Sequence, residues 1–417
     1  MEQIHDRVAG LDVHRDQVAA CVRTPGPRGG VQTEKARFDT TTGGLAALAE
    51  WLAGHAVALA AMEATGVYWK PVYYALEGRF LVWLCNAHHV KNVPGRKTDF
   101  ADADWLVHLL ECGLLRGSFI PPADIKAARD VIRYRTRVVQ SRTSEVQRLG
   151  NVLQDAGIKI DSVASSIATK SGRAMIEALI DGERRPRVLA DLALGRMRAK
   201  IPDLAMALEG RFDDHHALMC RLHLDHIGHL DAMIAKLDAQ IEAMMAPFRA
   251  ERDLLTTIPG IGPLAAAAVL SEIGASVTEY FPDAAHLASW VGICPGNHES
   301  AEKRHSGRRR HGNQHLQPVL VETAWAAVRC EGYLRALYHR HVMRWGGYRS
   351  PTAKKKAIIV TAHAMLVIIW HVLATGTPYD ELGSDYFTRR LDPERETRRL
   401  IAKLEALGHQ VSLQPAS

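Results

Sequence analysis

The residues up to Leu115 limit the fold more than any other part of the chain, because three strand-type runs come in a row before the first helix signal. Val8 to Val13 and Gln17 to Val22 read as strands joined by a tight polar turn, and Val31 to Phe38 reads as a third with alternating polarity. Thr42 to Ala53 then reads as a helix capped by the preceding threonines. Val57 to Met62 is a buried strand, a second helix starts near Val67, Phe80 to Cys85 is a fifth strand, and a last helix runs from Phe100 to Leu115. Pro121-Pro122 closes this part, since paired prolines cannot continue a helix.

Three antiparallel strands followed by alternating helix and strand predict a ribonuclease H-like α/β domain over residues 1–122. From 123 to 250 the character is helical. Ile132, Val139, Val146 and Leu153 recur every seven residues, and Ile227, Leu230, Ile234, Leu237, Ile241 and Met244 keep a three-four spacing. That stripe fits two long helices packed within one subunit, and it equally fits a coiled-coil arm joining subunits, because spacing does not report whose partner helix it is. Residues 251–378 form a further all-α domain. It opens on Ile258-Pro259-Gly260-Ile261-Gly262, which is similar to the hairpin of a helix-hairpin-helix motif, and Gly260 and Gly262 would let backbone N–H groups approach a phosphate. Residues 379–417 are a polar tail with one short helix expected at Glu394 to Leu407.

Within this frame four carboxylates stand out: Asp12, Glu63, Asp99 and Asp102. Asp12 lies among apolar strand residues, where a bare carboxylate is costly unless something pairs with it. Glu63 ends the fourth strand. Asp99 and Asp102 are three apart at the start of a helix and share a face, although Asp99 after Thr98 also suits a plain N-cap. In a ribonuclease H-like topology these positions meet at one spot, and carboxylates from separate elements suit divalent cations.

Downstream, Ser300 lies in a basic segment with Lys303, Arg304, Arg308, Arg309 and Arg310. A hydroxyl among cations suits attack on a phosphodiester, because the cations offset charge gathering on the phosphoryl oxygens. The same loop also reads as a solvated phosphate contact with no chemistry, and Ser306 competes for the nucleophile's role. His223, His226 and His229 recur every three residues and read as a solvated helix face, not a zinc site. Trp69, Trp83, Trp290 and Trp325 lie in apolar contexts and read as core.

The net charge of +6 favours a polyanionic partner only because it is clustered, in Lys303 to Arg310 and in Lys354-Lys355-Lys356. Six scattered cysteines with no CxxC pair fit a reducing cytoplasm and neither a disulfide framework nor a zinc knuckle. No basic region followed by an apolar core opens the chain, so no signal peptide is expected. Ala357 to Leu373 is apolar but short for a membrane span and carries His363 and His371, so it is expected to be a buried helix and the protein cytoplasmic, without a membrane partner.

These motifs resemble those of the DEDD transposases of the insertion-sequence one-ten family, across nearly the whole chain. Gly10-Leu11-Asp12-Val13-His14-Arg15-Asp16, Met62-Glu63-Ala64-Thr65-Gly66 and Lys97-Thr98-Asp99-Phe100-Ala101-Asp102-Ala103 are similar to the family's acidic motifs. Ile258 to Gly262, Trp290 to Gly296 and Ser300-Ala301-Glu302-Lys303 are similar to its second domain. The resemblance implies a RuvC-like nuclease domain, a coiled-coil arm and a small transposase domain. It implies that Asp12, Glu63, Asp99 and Asp102 bind Mg2+, that Ser300 becomes covalently linked to DNA, and that an element-encoded guide RNA pairs with target and donor DNA. It also implies dimers that pair into tetramers, with active sites shared between subunits. One departure is Glu302, where the family pattern has a small residue two places after the serine.

The reading is therefore an RNA-guided DNA recombinase that moves an insertion sequence by a serine nucleophile and metal-binding carboxylates. The alternatives are a metal-dependent, structure-selective DNA nuclease in which water attacks, and a nucleic-acid-binding protein with a dead catalytic centre.

Overall fold

The computed structural model describes residues 4–26, 30–64, 66–85, 101–294, 299–300, 303–304, 311–390 and 393–413. The chain divides into two compact units, Met1–Ile120 and Pro121–Ser417.

The first unit is a five-stranded mixed sheet with helices on both faces. Its elements are β1 (Val8–Val13), β2 (Gln17–Pro25), β3 (Val31–Asp39), α1 (Thr42–Gly54), β4 (Leu59–Glu63), α2 (Trp69–Leu76), β5 (Leu81–Cys85) and α3 (Ala101–Glu111). The strand order is β3-β2-β1-β4-β5. The first three strands are antiparallel, whereas β4 runs parallel to β1 and β5 parallel to β4. The order expected from the sequence is the order observed. Strand β3 is the polar edge, exposed along most of its length, as an unpaired edge should be. Thr41 Oγ1 accepts the Gly44 N–H at 3.2 Å and starts α1.

The pleat of β1 divides two cores. Ala9, Leu11 and Val13 face α1 and α2, with Leu45, Leu48, Leu52, Val72 and Leu76. Val8 faces the other way, with Leu59, Ala61 and Cys85, onto Ala103, Leu106, Val107 and Leu110 of α3. Because side chains alternate along a strand, Gly10 and Asp12 share the α3 face with Val8.

The second unit is helical. It begins with α4 (Ala123–Asp155), α5 (Ile160–Val163), α6 (Lys170–Ile180), α7 (Pro186–Asp191), α8 (Ile201–Ala207) and α9 (Asp214–Met245). Helices α4 and α9 pack antiparallel along each other within this chain. At one end Ala128 and Ile132 meet Ile241 and Met245. At the other, Leu149 and Leu153 join Cys220 and Leu224 under the short helices α5 to α8. The seam between them is partly ionic: Arg135 pairs with Asp238 and Arg142 with Asp231.

The rest comprises α10 (Arg249–Thr256), α11 (Pro263–Ile273), α12 (Val277–Tyr280), α13 (Ala284–Val291), the short hairpin β6 (Glu299–Ser300) and β7 (Lys303–Arg304), then α14 (Leu316–Ala327), α15 (Tyr333–Arg344), α16 (Pro351–Thr375), α17 (Tyr386–Arg389) and α18 (Pro393–Ala406). Among the described residues α16 alone is long and apolar enough to cross a membrane. Ala357, Ile358, Ala362, Met365, Leu366 and Ile369 bury one side of it among the other helices of its unit, as expected of a core helix. All six cysteines are free. Trp325, expected in the core, is 39% exposed on α14 and touches Tyr338 with one edge.

Candidate active site

The acidic end of the sheet is built by a glycine. A Cβ on Gly10 would lie 2.2 Å from the Ala103 carbonyl oxygen and 2.7 Å from the Val107 nitrogen, so only glycine lets α3 lie this close to β1. The helix runs against the direction of β1. The N–H groups of Ile4 and His5, just before β1, donate to the carbonyl of Glu111 at the end of α3. The first turn of α3, which carries Asp102, therefore lies toward the Asp12 end of the strand.

The parallel register pairs Gly10 with Ala61 and Leu11 with Met62. One step further sets Asp12 beside Glu63 on the same face, across a strand spacing of about 4.8 Å. Both stand at the C-terminal ends of parallel strands, where open α/β sheets bind ligands. Asp12 is half-buried and hydrogen-bonds His14 Nε2 at 3.0 Å, a partner that the sequence reading did not assign. Glu63 lies opposite Cys85, whose thiol is pushed up to about 12 by burial and then by the Glu63 charge. Asp99 lies outside the described residues. Among the described residues no three His, Cys, Asp or Glu side chains are gathered as a ready-made metal cluster.

The neighbouring acid on α3, Asp104, belongs to the scaffold. It accepts from Lys35 Nζ at 2.9 Å and from Arg23 at 3.1 Å. Burial opposes its ionised form, but Lys35 and Arg23 outweigh burial and hold its pKa below the usual range. Arg23 also donates to Glu111 at 2.7 Å, tying α3 to β2.

In the second unit, Ser300 pairs in antiparallel register with Lys303, and Glu299 with Arg304. The chemistry expected of Ser300, Lys303 and Arg304 rests on side chains outside the described set, and Glu302, Ser306, Arg308, Arg309 and Arg310 lie outside the described residues altogether. Residues 291–294 and 311–317 flank this segment. Gly292, at a φ of 76°, ends α13 and starts the outgoing stem. The returning stem presses on it at Gly312, where a Cβ would come within 2.1 Å of the Val291 oxygen. Gln317 Nε2 donates to the same carbonyl at 2.6 Å.

Asn313 then fixes the returning stem in two directions. Its Oδ1 accepts the N–H groups of His315 and Leu316, both at 2.9 Å, and caps α14. Its Nδ2 donates to Glu272 Oε2 at 2.7 Å. Glu272 is buried at the end of α11 and takes a bidentate pair from Arg133 at 2.7 and 2.8 Å. Arg129 adds hydrogen bonds to the backbone oxygens of Ser271 and Glu272. Burial works against the Glu272 charge, but the two arginines more than offset it and its pKa is lowered. Burial also brings Arg129 down to about 10. A buried acid thus connects the long helix α4 to the base of the serine loop. An acid in an Ala-rich helix is a weak sequence signal, and its arginines lie some 140 positions upstream.

The turn before α11 divides its two glycines. Gly260, at a φ of 87°, packs on α14, where a Cβ would lie 2.4 Å from the Thr323 oxygen. Packing alone therefore requires glycine at this position. Gly262 is exposed, with nothing near the place a Cβ would occupy. The histidine series also differs from expectation. His223 is mostly buried and hydrogen-bonds Glu145 at 2.6 Å, and His226 lies 3.3 Å from the same oxygen, so two of the three bind the facing helix. Only His229 lies on a solvated face with no carboxylate bound.

Comparison with known proteins covers both units. A family model described as "Transposase", of the DEDD type found in IS110, matches residues 9–158. A second, described as "Transposase IS116/IS110/IS902 family", matches residues 252–339. The chain is 29% identical to a "Probable family 20 transposase" of Pseudomonas aeruginosa, over 65% of this chain and 72% of that one. It is 26% identical to "Putative transposase y4pF/y4sB" of Sinorhizobium fredii, over 68% of this chain and 64% of that one, just under two thirds of the relative's length. It is 23% identical to "Transposase for insertion sequence element IS1111A" of Coxiella burnetii, over 71% and 72%.

Proposed function

We propose, for a chain that belongs to the IS110-type DEDD transposases, that this insertion-sequence transposase cuts and rejoins DNA with Ser300 as nucleophile and with Asp12, Glu63, Asp99 and Asp102 as the ligands of Mg2+. The observation that carries the reading is the register that sets Asp12 beside Glu63 on the α3 face, at the strand ends toward Asp102. We read the sheet order as ribonuclease H-like, the acidic domain as RuvC-like and the α10–α11 turn as a helix-hairpin-helix-like element.

The donor set fits a hard divalent cation, because it is made of carboxylate oxygens alone. Such an ion supplies neutralisation of phosphoryl charge and eases ionisation of an attacking hydroxyl. His14 holds Asp12 by a hydrogen bond and must yield or turn as the carboxylate takes a ligand's role. The Ser300 hydroxyl attacks phosphorus and gives up its proton. The bond from phosphorus to the leaving sugar oxygen breaks, and that oxygen takes a proton. The phosphoserine link conserves the bond energy, so the hydroxyl of a second strand can attack it and release the serine without ATP. Lys303, Arg304, Arg308, Arg309 and Arg310 hold the backbone meanwhile, with Gly262 as a further contact. Guidance by an element-encoded RNA, and assembly as dimers pairing into tetramers, belong to the same proposal.

A gapped DNA substrate that cannot be religated tests the reading. Denaturing electrophoresis is expected to show a protein–DNA adduct that maps to Ser300. Ser300→Ala is expected to remove adduct and strand exchange, Ser306→Ala to retain them, and Asp12→Ala, Glu63→Ala, Asp99→Ala or Asp102→Ala to abolish cutting. Free DNA ends that survive Ser300→Ala would establish a hydrolytic nuclease. Sequence-specific cutting that persists after ribonuclease treatment would remove the RNA guide.

A further inference from the structure

Most arginines of the long helices find a carboxylate. Arg129 and Arg133 meet Glu272, Arg135 meets Asp238, Arg142 meets Asp231 and Arg148 meets Glu145. The hairpin of α15 and α16 is different. From Gly332 to Tyr379 the sequence contains no Asp or Glu. Arg344 ends α15, Arg349 lies in the connecting turn, and Lys354, Lys355 and Lys356 occupy the first two turns of α16. All but the half-buried Lys354 are exposed, and none has an ion pair among the described residues.

This arrangement is costly for the fold alone. Three consecutive lysines near the positive end of a helix dipole, with no acid in the first turn, repel each other and the dipole. The excess charge is felt inside the hairpin. His341 is held below the usual histidine range by burial and then by Arg344 and Arg340, and its Nδ1 is buried without a hydrogen-bond partner. The turn also carries an aromatic surface. Gly346 and Gly347 take positive φ values of 115° and 78° and bring Tyr348 out, 45% exposed. Its ring sits 5.5 Å from that of His339, which fixes its orientation.

We infer that the α15–α16 turn is a docking surface for single-stranded DNA, with Arg344, Arg349 and Lys354 to Lys356 on the phosphates and Tyr348 stacked on an unpaired base. The charge complementarity gives the backbone contact, and an exposed aromatic ring beside the cations gives the preference for an unstacked strand. Deoxyribose as the partner rests on the transposase reading above. The surface uses none of the residues assigned to strand cleavage.

The test is fluorescence anisotropy of the full-length protein with a labelled single-stranded oligodeoxynucleotide, without divalent metal, over a salt series. The triple variant K354A/K355A/K356A is expected to bind at least about tenfold more weakly, with a log–log salt slope lower by about 2, since each phosphate contact contributes about 0.7 on a single strand. Its melting temperature is expected to hold or rise, because repulsion at the helix start is removed, so weaker binding would not reflect damage to the fold. Tyr348→Ala is expected to lose about tenfold with an unchanged slope, and Tyr348→Phe to bind as the wild type does. If the triple variant melts lower, the Tyr348 pair decides on its own. An unchanged affinity and slope in the triple variant would overturn the surface. So would equal or tighter binding of the duplex or of the ribonucleotide strand of the same sequence. A wild type that binds neither single-stranded nor duplex DNA would overturn the proposed function as well.

Discussion

Replacing Glu272 with alanine is expected to loosen the base of the serine loop and not merely lower overall stability. The side chain is 4% exposed and holds Arg133, itself 29% exposed, and Arg129, 12% exposed. Removing one partner of a buried ion pair costs about 3–5 kcal/mol, because the other charge stays behind. Arg133 can partly reach water and Arg129 keeps its two backbone carbonyls, so the lower end, about 3 kcal/mol, is the better figure. The lost Asn313 contact adds about 1 kcal/mol, as a hydrogen bond to a charged group does. Glu272→Gln keeps the shape and an acceptor for Asn313, and isolates the charge. Hydrogen exchange in the full-length protein reads the effect locally, at the Leu316 N–H that Asn313 caps. Glu272→Ala is expected to speed exchange there by about a hundredfold, Glu272→Gln by less, and neither to alter the α3 amides of the first unit. The Glu272 and Asn313 changes should be non-additive by about 1 kcal/mol in a double-mutant cycle. Equal exchange at Leu316 in all variants, or additivity of the pair, would refute the anchoring argument.

Two further outcomes follow from the same kind of accounting. Gly10→Ala puts a Cβ 2.2 Å from the Ala103 oxygen, so thermal unfolding should report a loss of about 1–3 kcal/mol or more, and metal-dependent cutting should fall as α3 is pushed from β1; wild-type stability would refute it. Burial raises the Glu145 pKa, but His223, Arg148 and His226 outweigh it and bring it from 4.5 to about 2. A depressed carboxylate adds stability that is complete above its unfolded pKa and lost as pH falls toward the folded value. That shift is worth about 3 kcal/mol unscreened and about 1–2 kcal/mol after solvent screening, so urea unfolding should separate wild type from Glu145→Gln at pH near 6 and bring them together near pH 2. A pH-independent gap would refute it.

Local patterns were legible where local physics decides. The strands of the first unit have the period of a pleat, the parallel pairs read as continuous apolar runs, and Thr41 is a plain cap for α1. The carboxylate end followed from the same order, because Asp12 and Glu63 sit at matching steps of neighbouring strands. His14 was not found, since an exposed histidine two places from an aspartate has no distinctive spacing. The arm was legible as helix but not as a partnership. The seven-residue series passes through Val139 and Val146, whereas the buried line runs one residue earlier, through Val138 and Glu145.

That one-residue offset has a physical cause that no periodicity contains. Two of the seam positions on α4 are taken by Arg135 and Arg142, which can lie in a helix interface only because Asp238 and Asp231 face them from α9. Glu145 is tolerated in the same way by His223 and Arg148. Each pair contributes little net stability, because burying charge costs about what the attraction returns. A slip of α4 along α9, however, would unpair Arg135, Arg142 and the buried Glu145 at once, and the last of these is the costly one, because its side chain cannot reach water. The polar seam therefore selects one register for two helices that an apolar stripe alone would allow to slide. Because Arg129 and Arg133 on the same α4 hold Glu272, and Glu272 holds Asn313, that register also bears on the stem of the serine loop.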